Sequence, residues 1–276
     1  MSKIYLGNNS LDNLNLGVYK VIYDNIEVKP INNYFDFTVY NENSNYTIEL
    51  STDPTEPTNW GDGTINMELS HEFVANSEHR IISSVPPKTL NYLKNIRIKD
   101  CYDCTRLFYF SPLNTEENSN ILQKFIFGNN ITLCQMMFFG VKFTSLPSEF
   151  KLPNTIQNGI AMFQGGELTS LPNNFKLPKS IIKCNMMFAM NKLVSFPESI
   201  FVIPENVDKC NGIFKGNTNL TGVIDIKSTK LTTTTSIKDM ILNTQISEIR
   251  VPTAFPLTDD EIKANCGKSD IVVTRY

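Results

Sequence analysis

Six cysteines, two histidines and a handful of clustered carboxylates are the residues here whose chemistry could go beyond packing. Cys101-x-x-Cys104 is half of a zinc-ligand spacing, but a closed tetrahedral site needs two more thiolates or imidazoles at a matching interval, and none accompanies it. His71 and His79 stand eight residues apart in one segment without a nucleophile motif. Acid–base or triad chemistry through them is outweighed by a packing or strand-end role. Asp62 could lend an oxygen to a calcium ion, yet beside Gly63 it reads first as a turn former. Thr258-Asp259-Asp260-Glu261 is acidic enough for a metal and is better explained as a capping box opening a short helix that ends at Gly267. Glu149, Glu167, Glu198, Glu205 and Asp208 are scattered unequally, so no two carboxylates mark the fixed separation that glycoside hydrolysis needs. The chain therefore reads as non-enzymatic, with no catalytic, metal or cofactor-binding residue.

The cysteines make better sense by position. A pattern Cys/Gly-x-x-x-Phe recurs as Cys104 with Phe108, Cys134 with Phe138, Gly159 with Phe163, Cys184 with Phe188, and Cys210 with Phe214. The phenylalanines are spaced 30, 25, 25 and 26 residues apart. Met136-Met137, Met162 and Met186-Met187 crowd the residues just before the Phe. Downstream, Phe143-Thr144-Ser145-Leu146-Pro147 returns as Leu168-Thr169-Ser170-Leu171-Pro172 and as Leu193-Val194-Ser195-Phe196-Pro197, with a second proline at Pro153, Pro178 and Pro204. A degraded unit places Ser236 and Met240 26 residues after Cys210 and Phe214, with Ile246 to Pro252 in the Leu-Pro position. The longer first unit leaves Ser111 to Asn120, rich in Asn and Glu, as a polar loop.

Each unit contains a stretch such as Thr155 to Met162, apolar at helical spacing, which predicts a short helix or turn with Met and Phe inward. The Leu-x-x-Leu-Pro segment is short and alternating, and its proline stops it from continuing as a regular central strand. One unit cannot bury its own apolar face, so stacking in register is required and each Phe is expected to lie on the one before. The cysteines then form a buried column. Coils about 4.8 Å apart would bring Cys184 near enough to Cys210 for a bridge, although Gly159 interrupts the column, and free thiols are expected.

Before the repeats, Tyr34 to Tyr40, Tyr46 to Ser51, Ile65 to Phe73 and His79 to Val85 read as strands. Between them Trp60-Gly61-Asp62-Gly63-Thr64 forms a tight turn, with Trp60 offering a large apolar surface to one sheet face. Pro86-Pro87 reads as a stiff joint. At the start, Tyr5-Leu6-Gly7-Asn8 and Leu14-Asn15-Leu16-Gly17 form a short duplicated motif, followed by a strand at Val18 to Ile22.

Three resemblances follow from these motifs. The unit from Met162 to Pro172 resembles the BspA-like leucine-rich repeats of bacterial and phage surface proteins, over roughly Leu93 to Pro252. The turn Trp60 to Thr64 with His71-Glu72-Phe73 and Arg80-Ile81-Ile82 resembles the PKD-type immunoglobulin-like fold over Asn33 to Val85, departing from it at Asn76-Ser77-Glu78. The opening Met1 to Gly7 resembles the amino termini of tailed-phage structural proteins. Together they imply a mainly β chain with short helices: an attachment segment (1–32) carrying Tyr5, Leu6, Gly7, Leu16 and Gly17, a small immunoglobulin/PKD-like β-sandwich (33–87), and a BspA-like leucine-rich-repeat solenoid with a carboxy-terminal cap (88–276). The function they imply is a structural virion protein, a head or tail fibre or decoration component. It would be a homo-oligomer held to other virion proteins through its amino terminus and displaying its repeats to a host-surface glycan or protein. The alternative is a bacterial cell-surface adhesin.

Composition narrows the partners. A net charge of −3 over 276 residues gives no basic footprint for nucleic acid. No apolar run approaches a membrane span, and Met1 to Gly7 lacks a signal peptide's apolar core. The cysteine density is far below that of a disulfide scaffold, which points to folding in a reducing compartment.

Overall fold

The computed structural model describes residues 5–6, 9–10, 19–21, 28–30, 34–88, 92–99, 102–109, 125–128 and 130–276. Sixteen strands and one α-helix among them make the chain mainly β. Two short antiparallel pairs come first, β1 (Tyr5–Leu6) with β2 (Asn9–Ser10) and β3 (Tyr19–Val21) with β4 (Val28–Pro30).

β5 (Tyr34–Asn41) carries Phe35, Phe37 and Val39 at alternate positions, all buried, as period-two patterning demands of a half-buried strand. Next come β6 (Tyr46–Glu49), β7 (Thr58–Asn59), β8 (Ile65–Asn66), β9 (Ser70–Phe73) and β10 (Ser77–Ser83). The run expected as one strand from Ile65 to Phe73 is two, and they enter different sheets: β8 joins β7, and β9 pairs β6. Phe73 and Tyr46 stack at 5.3 Å, and the Phe73 ring lies 6.4 Å from that of the fully buried Trp60.

The larger sheet continues past the expected joint. Ser51 donates to the Pro86 carbonyl and Lys88 to the Glu49 carbonyl, which straps the proline pair along the chain after β6. β11 (Leu93–Lys99) then lies antiparallel on β5, and β12 (Phe125–Phe127) lies parallel on β11. The sheet order β12-β11-β5-β10-β7-β8 thus carries the amino-terminal sheet into the first repeat.

From Asp103 onward successive repeats are laid parallel, with single bridges running Asp103, Leu133, Asn158, Lys183 and Lys209. The bonding alternates. Cys134, Met136, Phe138 and Gly140 donate to the carbonyls of Asn158, Ile160, Met162 and Gln164 in the next repeat, while Met137, Phe139 and Val141 donate three residues back within their own. The stretch expected as a short helix or turn is this turn. It takes two left-handed residues four apart, Met136 and Gly140, then Ala161 and Gly165, Met186 and Met190, Gly212 and Gly216, Asp239 and Asn243.

The phenylalanines stack as the period requires. Centroid distances are 5.5 Å for Phe108–Phe138, 5.5 Å for Phe138–Phe163, 5.6 Å for Phe163–Phe188 and 5.9 Å for Phe188–Phe214, with rings within 14° of parallel. Met137, Met162 and Met187 are fully buried beside them, while Met136 and Met186 face outward.

The last repeat departs from its expected register by one residue. The Cys210 amide donates to the Ser236 carbonyl and the Phe214 amide to the Met240 carbonyl, the roles that Lys209 and Ile213 fill for the repeat before. Ile237 and Ile241, both fully buried, therefore continue the Cys and Phe columns in place of Ser236 and Met240. A 3-10 turn at Thr234–Ser236 takes up the additional residue.

On the side of the stack after each phenylalanine, four strands form a parallel sheet in sequence order: β13 (Ser195–Ile203), β14 (Thr221–Ile226), β15 (Glu248–Val251) and β16 (Val272–Arg275). Phe201, Ile224 and Ile249 face the core in register, and Val202, Asp225 and Arg250 face out. The helix α1 (Asp259–Asn265) opens on the expected capping box, with Thr258 Oγ1 accepting from the Glu261 amide and Glu261 accepting from the Thr258 amide. Its end covers the stack, since Asp239 and Ile241 donate to the Asn265 and Cys266 carbonyls.

Candidate functional site

Every residue of the expected repeat core is buried: Cys104, Phe108, Cys134, Phe138, Phe163, Cys184, Phe188, Cys210 and Phe214. Cys184 and Cys210 carry free thiols, with Cys184 Sγ donating to the Lys209 carbonyl at 3.6 Å and Cys210 Sγ 3.6 Å from Met240 Sδ. Burial pushes the Cys210 thiol up to about 12 and holds that of Cys184 well above its ordinary value. A thiol so hard to ionise is a packing group, since the thiolate is the nucleophile and the metal ligand. Cys101, Gly7, Leu16 and Gly17 lie outside the described residues, whereas Tyr5 and Leu6 form β1.

The turn Trp60 to Thr64 brings together more chemistry than its sequence promised. Gly61 is forced, because a Cβ there would stand 2.5 Å from the Arg80 carbonyl oxygen. Asp62 accepts from the Thr64 amide at 2.9 Å and lies 2.6 Å from His71 Nε2, while the His71 ring stacks on Trp60 at 5.1 Å. Burial works to raise the Asp62 carboxyl, but the Thr64 amide and the His71 ring outweigh it and hold the group at about 2. The second histidine makes a different contact. Ser77 Oγ donates to the Val74 carbonyl at 2.5 Å, so at 2.8 Å it accepts from His79 Nε2 and is not poised as a nucleophile. His79 Nδ1 is buried without a hydrogen-bond partner, and the ring is held by stacking on Phe73 at 4.4 Å and not by a carboxylate. The two histidines thus tie down strand ends. Among the described residues no three His, Cys, Asp or Glu side chains are grouped to hold a metal ion.

The feature that sequence reasoning missed is a cleft of about 520 Å³ between the segment 173–179 and β13. Its floor is apolar, with Phe175, Leu177 and Phe201, and its far end is polar, with Asp225 and Lys227. The size is that of pockets that enclose small ligands. One end is closed by Asn206 Nδ2, which donates to the Lys179 carbonyl at 2.9 Å. Toward the other end Val194 donates to the Thr169 carbonyl at 3.1 Å.

The cleft exists because β13 bulges. Its pairing with β14 slips between Ser195 and Ile200, and Glu198 and Ser199 are consecutive left-handed residues at φ 52° and 62°. Each such non-glycine residue costs about 1 kcal/mol or more, and such strain gathers at sites where shape matters. The bulge rests on Gly222, where a Cβ would stand 2.8 Å from the Ser199 carbonyl oxygen. At the polar end Lys227 binds Asp225 at 2.9 Å and lies 4.4 Å from the centre of the Tyr276 ring, whose hydroxyl donates to Asp225 at 2.9 Å. The Asp225 carboxylate and the Tyr276 hydroxyl raise the Lys227 ammonium above its ordinary value, against a smaller opposing effect of burial. This network fixes charges in place and holds no group free to move a proton. The 26-residue interval from Phe188 to Phe214, one longer than the two before it, was the available signal for the bulge.

In comparisons with known proteins no family model, no curated protein and no solved structure matches the chain.

Proposed function

We propose that the protein is a non-enzymatic structural and binding component of a tailed-phage particle, a head or tail fibre or decoration. In this reading the segment 1–32 attaches it to the particle, a PKD-like sandwich follows, and a BspA-like leucine-rich-repeat solenoid presents its surface to host-surface molecules or neighbouring subunits. The observation that carries the reading is the phenylalanine column with its repeat-to-repeat hydrogen bonds. Such an array stores its free energy in nearest-neighbour stacking and offers an extended surface. The polar groups that could do chemistry are spent on structure: buried cysteines, a histidine holding a turn and a helix cap. The phage assignment itself is supported by the resemblance of the opening residues.

The test is particle composition. Mass spectrometry of purified particles, with antibody labelling in the electron microscope, is expected to find the chain at a fixed copy number, and deletion of residues 1–32 is expected to abolish its incorporation. Finding it only on bacterial cells would favour an adhesin. Release of sugar from host polysaccharide by the purified protein would overturn the non-enzymatic part.

A further inference from the structure

The cleft beside β13 has a chemistry that names its ligand class, an argument that rests on the binding-module reading but not on where the module is carried. In a parallel strand pair alternate residues bond the neighbour, and those between turn their N–H and C=O to the opposite side. The Lys227 amide donates to the Ile203 carbonyl, and Ile203 lies opposite Ile226, so Ile203 and Phe201 direct their backbone groups at β14. Ile200 and Val202 direct theirs into the cleft, where no backbone group of the described residues meets them. Their side chains are 37% and 44% exposed. A strand edge with open donors and acceptors and apolar side chains is a template for another extended backbone.

Charge supplies the second argument. Lys176 and Lys179 stand on one side of the cleft and Glu198 and Glu205 on the other, all four exposed. None takes part in the ion pairs among the described residues. A ligand carrying an acid toward one side and a base toward the other would pair both sets. The floor aromatics Phe175 and Phe201 are 7% and 4% exposed, so no open ring face is offered for stacking a sugar. The bulge over Gly222 holds the cleft open before anything binds, which spares the ligand the cost of opening it.

We infer that the cleft receives an extended peptide segment of another protein chain, which adds as a strand to the free edge of β13. Its apolar side chains lie toward Phe175 and Leu177, and its acidic and basic residues face the lysines and the glutamates.

The test uses the full chain, panned against a displayed library of random decapeptides, with the selected peptides resynthesised carrying single N-methyl amides. Methylation is expected to weaken binding about tenfold at alternate amides and little at those between, because only alternate groups meet the edge. Val202→Pro removes one cleft-facing N–H that no internal bond uses, a change edge strands tolerate. It is expected to keep the thermal midpoint and lose binding at least about tenfold. The double variant Lys176→Glu with Lys179→Glu is expected to fold and to select peptides whose acidic residues are replaced by basic ones. No enriched peptide, peptides bound equally by Val202→Pro, or binding of neutral oligosaccharides in their place would overturn the inference. None of these results bears on whether the chain is a particle component, so the two readings fail separately.

Discussion

The Asn217 side-chain amide donates to the Phe188 backbone carbonyl at 2.9 Å, across the boundary between one repeat and the next. The same nitrogen bonds the Phe214 carbonyl at 2.9 Å, and the side-chain oxygen accepts from the Leu193 amide at 3.1 Å. One fully buried side chain thus satisfies the Leu193 amide and adds a bond to two carbonyls, that of Phe214, which also accepts from the Asn217 backbone amide, and that of Phe188, which also accepts from Asn191 Nδ2. Asn191 repeats the arrangement one coil earlier, bonding the Phe163 carbonyl at 2.7 Å and the Leu168 amide at 3.0 Å. Before that the position is Gly166, where a Cβ would stand 2.7 Å from the Asn191 side-chain oxygen, so the ladder ends there.

Asn217→Leu should therefore destabilise the chain far more than loss of a single surface hydrogen bond. Leaving the Leu193 amide buried without a partner, with one bond lost at each of two carbonyls, costs on the order of 2 kcal/mol or more. Urea unfolding of the variant is the check. A loss below about 1 kcal/mol would mean that the amide is not needed there.

The left-handed positions predict changes of opposite sign. Met190 is 62% exposed at φ 55°, so Met190→Gly should raise stability by about 1 kcal/mol through relief of backbone strain. Gly216 holds the same place one repeat later at φ 82°, and Gly216→Ala should lower stability by about 1 kcal/mol. Thermal midpoints of the two variants measure both.

Gly222→Ala should disturb the cleft more than the core. The added methyl meets the Ser199 carbonyl at 2.8 Å, and φ 123° is a conformation that alanine resists. A loss of about 2 kcal/mol is expected, with amide shifts confined to Glu198 through Val202 in an NMR spectrum. Shifts spread along the whole column would contradict the assignment of the bulge to this contact.

Asp62 gives the pH dependence. Its folded value, about 2, lies below that of an unfolded aspartate, so its contribution is fully present above about pH 4 and is lost as pH falls through 2. The thermal midpoint of the wild type should exceed that of Asp62→Asn near neutrality, and the gap should close between pH 4 and pH 2. A gap that stays constant over that window would show that the carboxylate charge is not what stabilises the turn.

The repeat was legible because its signal is redundant: period, Phe, Cys and Leu-Pro recur together, and one stacking constraint explains all four. The Thr258 cap was legible for the opposite reason, since both of its partners lie within three residues. The pairing of β11 with β5 left no local trace, because register between segments more than fifty residues apart is decided by packing. The one-residue slip that puts Ile237 and Ile241 in the columns was hidden because Ser236 and Met240 fit the 26-residue interval of the unit before. The Asp62–His71–Trp60 cluster needed the β9 strand to cross to the other sheet, which an uninterrupted strand from Ile65 to Phe73 did not anticipate. The cleft depends on two left-handed residues, Glu198 and Ser199, whose types do not announce that conformation.

Repeats that share one continuous interior should open together. Native-state hydrogen exchange at the Phe138, Phe163, Phe188 and Phe214 amides, each bonded to the following repeat, tests this directly. All four should exchange with one common opening free energy close to that of global unfolding, and Phe188→Ala should lower it at Phe163 and Phe214 alike by about 3–5 kcal/mol. Fast exchange at these amides, or four unrelated opening energies with only the mutated repeat affected, would contradict a stacked and shared core.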